Sequence, residues 1–453
     1  MPFRSRRPYF APCVDHSEVL ALYREASERI GAAAPNFDTV IFMCGDSGTG
    51  LCWQNLYPGA NGPQACAGRT LAARGAGFAE ALAHGLKGGG EPLVFLSHIP
   101  LWTFSGKLLP IPGIAADRTV CFARAPQDKP VTHENPLALL AALEAAFAAK
   151  PDAVVFNIEQ PAITFRRGGL YPALARRFLR RPTRGPTERI ACLKALTDEL
   201  GLQAAGNRLL DAWQHLYRAI DDTSLGRLFY NSVFLYSAMS ARLLTRPLLP
   251  LPDAADPGET LYYRRHVFDS LDDAAIRRDL LNVHGLRNPF LGRNACEMDR
   301  TVMCLESVCQ SFDAALASLR DGPAGGADEK AAAACADLRR RIGALRGFAR
   351  TLQNACAFQA LLDRAQTSGY SSEVNAEALE RIMRREIDNV NELIGLLEAE
   401  GAPLLPLADR TEDENTFLFG PDLAEQLRRK IELMLAHWHD SQTLFNNKTR
   451  FNT

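Results

Sequence analysis

The sequence predicts an α/β region followed by an all-α region, and three observations carry that division. Short, continuous apolar runs alternate with helical patterns as far as about Pro186. Such runs are too short for helices and too uniformly apolar for half-exposed strands, so they read as strands buried on both faces. Beyond Pro186 the apolar residues recur every three or four positions, which is a helical stripe. The expected domains are therefore residues 1–185 and residues 186–453.

The elements follow in order. Ser17 and Glu18 open a helix after Asp15, with Val19, Leu22, Tyr23, Ala26 and Ile30 on one stripe and Gly31 ending it. Thr39, Val40, Ile41, Phe42, Met43 and Cys44 form a strand that stops at Gly45-Asp46-Ser47-Gly48. A long Gly-rich loop leads to an Ala-rich helix over residues 71–86, closed by Gly88, Gly89 and Gly90. Residues 92–98 form the second strand, residues 136–149 a helix after a loop, and residues 153–159 the third strand. Tyr9-Phe10-Ala11-Pro12 is the tail of a fourth. Helices between buried strands impose parallel pairing, in an open sheet or a barrel.

In the second region, Ile190, Leu193, Leu196 and Leu200 make one stripe, and Leu209, Trp213, Leu216 and Ile220 the next. Later stripes run through Leu338, Ile342, Leu345, Phe348, Leu352, Ala355 and Leu362, through Met383, Ile387, Val390, Ile394 and Leu397, and through Leu427, Ile431, Met434 and Trp438. These are the helices of a bundle, with a turn at residues 321–328 and a Pro-rich connector at residues 246–257.

The 453 residues contain 51 Lys plus Arg against 52 Asp plus Glu, so no overall basic field exists to collect nucleic acid. The most basic stretch, residues 176–184 (RRFLRRPTR), reads as a solvated linker, with a phosphate or substrate-anion site as the alternative. Eleven cysteines without CxxC pairs read as reduced, mostly buried thiols. No signal-peptide run and no stretch of about 20 apolar residues is present, so the expected location is cytoplasmic, without a membrane partner. No motif calls for a cofactor, and His437 and His439, two apart on a helix, do not form an i, i+4 metal pair.

Ligands of parallel α/β folds sit beyond the carboxyl ends of the strands. Asp46, His98 and Glu159 occupy those ends and are the expected catalytic residues, against the alternative that they cap helices or pair with arginines. Trp53, Tyr57 and Trp102 offer flat apolar faces, and Asn61 and Asn157 offer amides, a combination that suits a sugar. Two carboxylates on nearby strands reach the roughly 5–9 Å separations of glycoside cleavage. A second reading makes Ser47 of the Gly45-Asp46-Ser47 triplet an esterase nucleophile, although G-x-S-x-G fails because position 49 is threonine.

Three stretches carry a resemblance: residues 12–19 (PCVDHSEV), residues 46–62 with DSGTG and LYPGANG, and residues 244–250 (LTRPLLP). Together they resemble poorly characterised bacterial proteins whose barrel is similar to those of family 20 and family 67 glycoside hydrolases, followed by a helical domain. The resemblance implies a partial (β/α) TIM-like barrel and a glycoside hydrolase-like protein that cleaves or binds a carbohydrate. A non-catalytic carbohydrate-binding scaffold relative is its alternative. A whole barrel needs about 250 residues and eight strands, so the chain looks like a later half, part of a longer gene product or completed by association into a homo-oligomer. The adjacent Asp-Glu pair of family 20 has no match here.

Overall fold

The structure, a computed structural model, describes residues 16–35, 39–43, 71–85, 93–97, 106–107, 120–124, 131–148, 150, 153–157, 169–219, 242–251, 256, 295–320, 329–368, 373–414 and 418–446. Contacts divide the chain into two units: Met1–Ala125 with Ala141–Ile158, and Pro126–Leu140 with Glu159–Thr453.

In the first unit, helix α1 (Ser17–Ala33) packs on α2 (Leu71–Ala83). Tyr23 meets Phe78 edge to face with ring centroids 4.7 Å apart, a favourable quadrupole arrangement. Ser27 is buried at the crossing, where its hydroxyl lies 3.1 Å from the Ala81 carbonyl and accepts the Gly85 N–H at 3.1 Å. A Cβ at Gly85 would overlap the backbone of Ser27 and Glu28, so only glycine permits this approach.

The strands of this unit are short. β1 (Thr39–Met43) pairs in parallel with β2 (Leu93–Ser97), Thr39 opposite Leu93. Two-residue β3 (Gly106–Lys107) pairs antiparallel with β4 (Val120–Arg124), which pairs in parallel with β5 (Ala153–Asn157). Helix α3 (Pro136–Ala148) precedes β5. The barrel expectation is overturned here. A (β/α) barrel needs each strand flanked by parallel neighbours in one closed ladder. Among the described residues the strands form separate two- and three-stranded sheets, and β4 carries an antiparallel neighbour on one edge. The run Val120-Cys121-Phe122-Ala123 lies in the stretch read from sequence as loop.

The second unit is helical: α4 (Leu170–Arg180), α5 (Pro186–Glu199), α6 (Gly206–Tyr217), α7 (Ala295–Ser318), α8 (Glu329–Ser368), α9 (Glu373–Glu398), α10 (Leu423–Ala436) and α11 (Asp440–Asn446). Along α8 one line of buried residues follows alternate intervals of four and three, Ala331, Cys335, Leu338, Ile342, Leu345, Ala349, Leu352 and Cys356, and from Arg341 onward the helix is buried on most of its circumference. α9 does the same through Ala376, Leu379, Met383, Glu386, Val390 and Leu393. This is the heptad seam of helices packed knobs-into-holes, and α8 accordingly packs on both α7 and α9.

One seam position on α9 is charged. Glu386 meets Lys430 of α10, both wholly buried. Lys430 also donates to the Leu244 carbonyl at 2.9 Å, while Glu386 accepts from Thr351 and Asn354, each at 2.8 Å. Burial pulls the Lys430 ammonium below its ordinary value, against the pull of Glu386. A buried pair satisfied on every side fixes register where an apolar seam allows slippage. On the flank, Arg346 of α8 bridges Asp313 of α7 at 2.8 Å and Glu392 of α9 at 2.6 Å.

Residues 131–140 belong to this unit as a strap. The Thr132 N–H donates to the Leu404 carbonyl at 2.7 Å, and the buried Arg341 guanidinium donates to the Thr132 carbonyl at 2.6 Å. No helix among the described residues is long and apolar enough to cross a membrane.

Candidate anion-binding cleft

Helix α4 is strongly two-faced. Leu170, Tyr171, Ala173, Leu174 and Phe178 are buried, which turns Arg176 and Arg180, one helical turn apart, toward solvent. The chain leaves α4 at Arg181 and re-enters a helix at Gly185, whose φ of 86° favours glycine, followed by Pro186 at the first turn. Glu188 accepts the Arg184 N–H at 2.8 Å and so ties the start of α5 to the loop before it. Through this turn α5 packs back against α4.

Between the two helices lies an open cleft of about 620 Å³, lined by Arg176, Arg177, Arg180 and Arg181 and by Glu188 and Glu199. Four guanidinium groups against two carboxylates leave a surplus of two positive charges. Arg177 is engaged, 3.1 Å from Glu199 and hydrogen-bonded to the Cys192 thiol. Arg176, Arg180 and Arg181 make no ion pair among the described residues, and all three are exposed. Burial pushes the Cys192 thiol up, more strongly than Arg177 and Arg181 pull it down, so it sits in the cleft wall as a neutral thiol rather than a nucleophile.

A structural role accounts for part of this. Arg177 and Arg180 lie in the last turn of α4, where cations complement the helix dipole. That role does not explain why four arginines converge on one cleft.

Of the residues expected from sequence, Asn157 alone falls among the described residues. Asp46, Ser47, Trp53, Tyr57, Asn61, His98, Trp102 and Glu159 lie outside the described residues, and Asn157 is the last residue of β5, in register with Arg124 of β4. His437 is occupied by Asp440, with Nδ1 2.9 Å from the carboxylate. The basic stretch read as a linker is instead the end of α4 and the turn into α5. Its signal was present in sequence: Leu170, Leu174 and Phe178 recur every fourth residue, which places Arg176 and Arg180 on the opposite face.

No family model, no curated protein and no solved structure matches this chain. The resemblance to family 20 and family 67 glycoside hydrolases is therefore corrected, since its three motifs are short and are not joined by any match along the chain. The glycosidase reading, with its carbohydrate-binding and Ser47 esterase alternatives, is corrected with it: among the described residues the sheets form no barrel to carry a hydrolase-like site.

Proposed function

We propose that this chain is an anion-binding protein whose helical unit takes a compact, phosphate-bearing ligand in the cleft between α4 and α5. The observation that supports this reading is the convergence of Arg176, Arg177, Arg180 and Arg181 on one cleft, where among the described residues only Arg177 is tied to a carboxylate. Arginine offers a planar fork of donors that matches two oxygens of a phosphate at once, and such charge-assisted pairs are about twice as strong as neutral ones. The cleft volume of about 620 Å³ falls within the ~300–1,000 Å³ of small-ligand sites. A net charge of −1 over the whole chain favours a small ligand over extended nucleic acid, whose binding needs a broad basic surface. A reducing cytoplasm suits the chain, because Cys192, Cys304, Cys309, Cys335 and Cys356 are free thiols and all but Cys304 are buried.

Calorimetric titration with inorganic pyrophosphate tests the reading. The native chain binds it, more weakly as ionic strength rises. Replacing Arg176 and Arg180 together by alanine weakens binding at least tenfold and leaves the unfolding midpoint within a degree or two. An affinity unchanged by that double replacement sinks the reading. A midpoint that drops sharply without any pyrophosphate binding by the native chain assigns the arginines to helix termination.

A further inference from the structure

The number and placement of the unpaired guanidinium groups narrow the ligand class, an inference that rests on the anion-binding reading above. From the geometry of the cleft we infer that its ligand is a linear chain of phosphoryl groups, a tripolyphosphate either free or as the tail of a nucleotide, rather than a single phosphate. Arg176, Arg180 and Arg181 have no carboxylate partner among the described residues, and Arg177 already divides its donors between Glu199 and Cys192. Each free fork addresses two oxygens, so three forks address more than the three terminal oxygens of one phosphate monoester.

Position argues the same way. Arg176 and Arg180 are one turn apart on α4, about 6 Å along the axis, and Arg181 stands past the helix end. The positive groups therefore follow a line, and a ligand that satisfies them all extends along it. Glu188 and Glu199 narrow the choice further. A bulky or diffuse polyanion laid over the whole cleft meets both carboxylates, whereas a phosphoryl chain held along the α4 edge meets the arginines while keeping away from Glu188 on α5.

The test compares inorganic phosphate, inorganic tripolyphosphate and a nucleoside triphosphate on the full chain by calorimetry. Tripolyphosphate is expected to bind at least tenfold more tightly than phosphate. Replacing Arg176 and Arg180 by glutamine reduces tripolyphosphate to the affinity of phosphate, and Arg181→Gln alone gives a smaller loss. Arg410→Gln, which removes an exposed arginine paired with Asp413 elsewhere in the unit, leaves the affinity unchanged. A nucleoside triphosphate equal to tripolyphosphate identifies recognition of the tail alone, and a tighter one identifies added contacts to the nucleoside; both support the chain-of-phosphates assignment. If phosphate and tripolyphosphate bind equally, and both are lost in the double variant, this inference is overturned while the anion-binding reading stands. If no phosphate species binds, both are overturned.

Discussion

His133 is wholly buried, and only one of its ring nitrogens has a partner. Nδ1 lies 2.8 Å from the Val131 carbonyl, which assigns it the proton, and Nε2 has no hydrogen-bond partner. Burial, with the positive charge of Arg341 adding to it, lowers the imidazole to about 4, although the Val131 carbonyl favours the charged form. The unfolded chain binds this proton near pH 6.5 and the folded chain does not until about pH 4. The neutral ring's contribution is therefore complete above pH 6.5 and is lost progressively as the pH falls toward 4. That loss is on the order of 3 kcal/mol. Urea unfolding at pH 7.0, 6.0 and 5.0 should show the native chain losing stability faster than His133→Gln; parallel losses in the two proteins would remove His133 from the account. The residue is not legible in sequence, because a histidine between Thr132 and Glu134 in a loop carries no sign of the Arg341 that faces it from α8, about two hundred residues away.

At the scale of elements, the bundle depends on how closely α8 and α9 approach. Gly347 lies against Leu393 so tightly that an added Cβ would sit 2.5 Å from Leu393 Cγ, and one turn earlier a Cβ at Gly343 would meet Leu396 at 3.1 Å. Asn389 uses the same approach to donate to the Gly347 carbonyl at 3.0 Å. Gly347→Ala gains about 1 kcal/mol of helix propensity but overpacks a buried leucine, which costs roughly 1–3 kcal/mol. The substitution should therefore lower the thermal midpoint, and the pair Gly347→Ala with Leu393→Ala should lose less than the two single losses added. A midpoint raised by Gly347→Ala would show that the helices are free to separate. Elements of this kind were the most legible part of the sequence, since a stripe such as Met383, Ile387, Val390 and Ile394 fixes a helix without reference to its neighbours. What such a stripe hides is the charged member of the seam. Glu386 sits between Met383 and Val390 and reads as a surface residue until Lys430, 44 positions later, is brought onto it.

At the scale of the whole chain, short apolar runs locate strand segments but not the strands beside them, so they left both an open sheet and a barrel possible; the resemblance chose the barrel, whereas among the described residues the sheets are small and one pairing is antiparallel. A change of pattern at Pro186 marks where strands cease, whereas packing assigns Pro126–Leu140 and everything from Glu159 to the helical unit. The two divisions differ in what they leave exposed. A fragment of residues 186–453 lacks Thr132, whose carbonyl accepts from the Arg341 guanidinium and whose N–H donates to the Leu404 carbonyl. It also lacks α4, and with it the apolar face of Tyr171, Leu174 and Phe178. Arg341, 6% exposed in the full chain, would keep Asp337 and the Pro403 carbonyl but lose its shortest contact. Leaving buried polar groups unpaired costs about 1–3 kcal/mol each, and the lost apolar burial adds to that. A fragment of residues 126–453 keeps the strap and α4. In urea the shorter fragment should unfold at a clearly lower midpoint, with a shallower transition because less surface is buried. Equal midpoints and slopes would return the boundary to Pro186 and reduce the strap to a surface attachment.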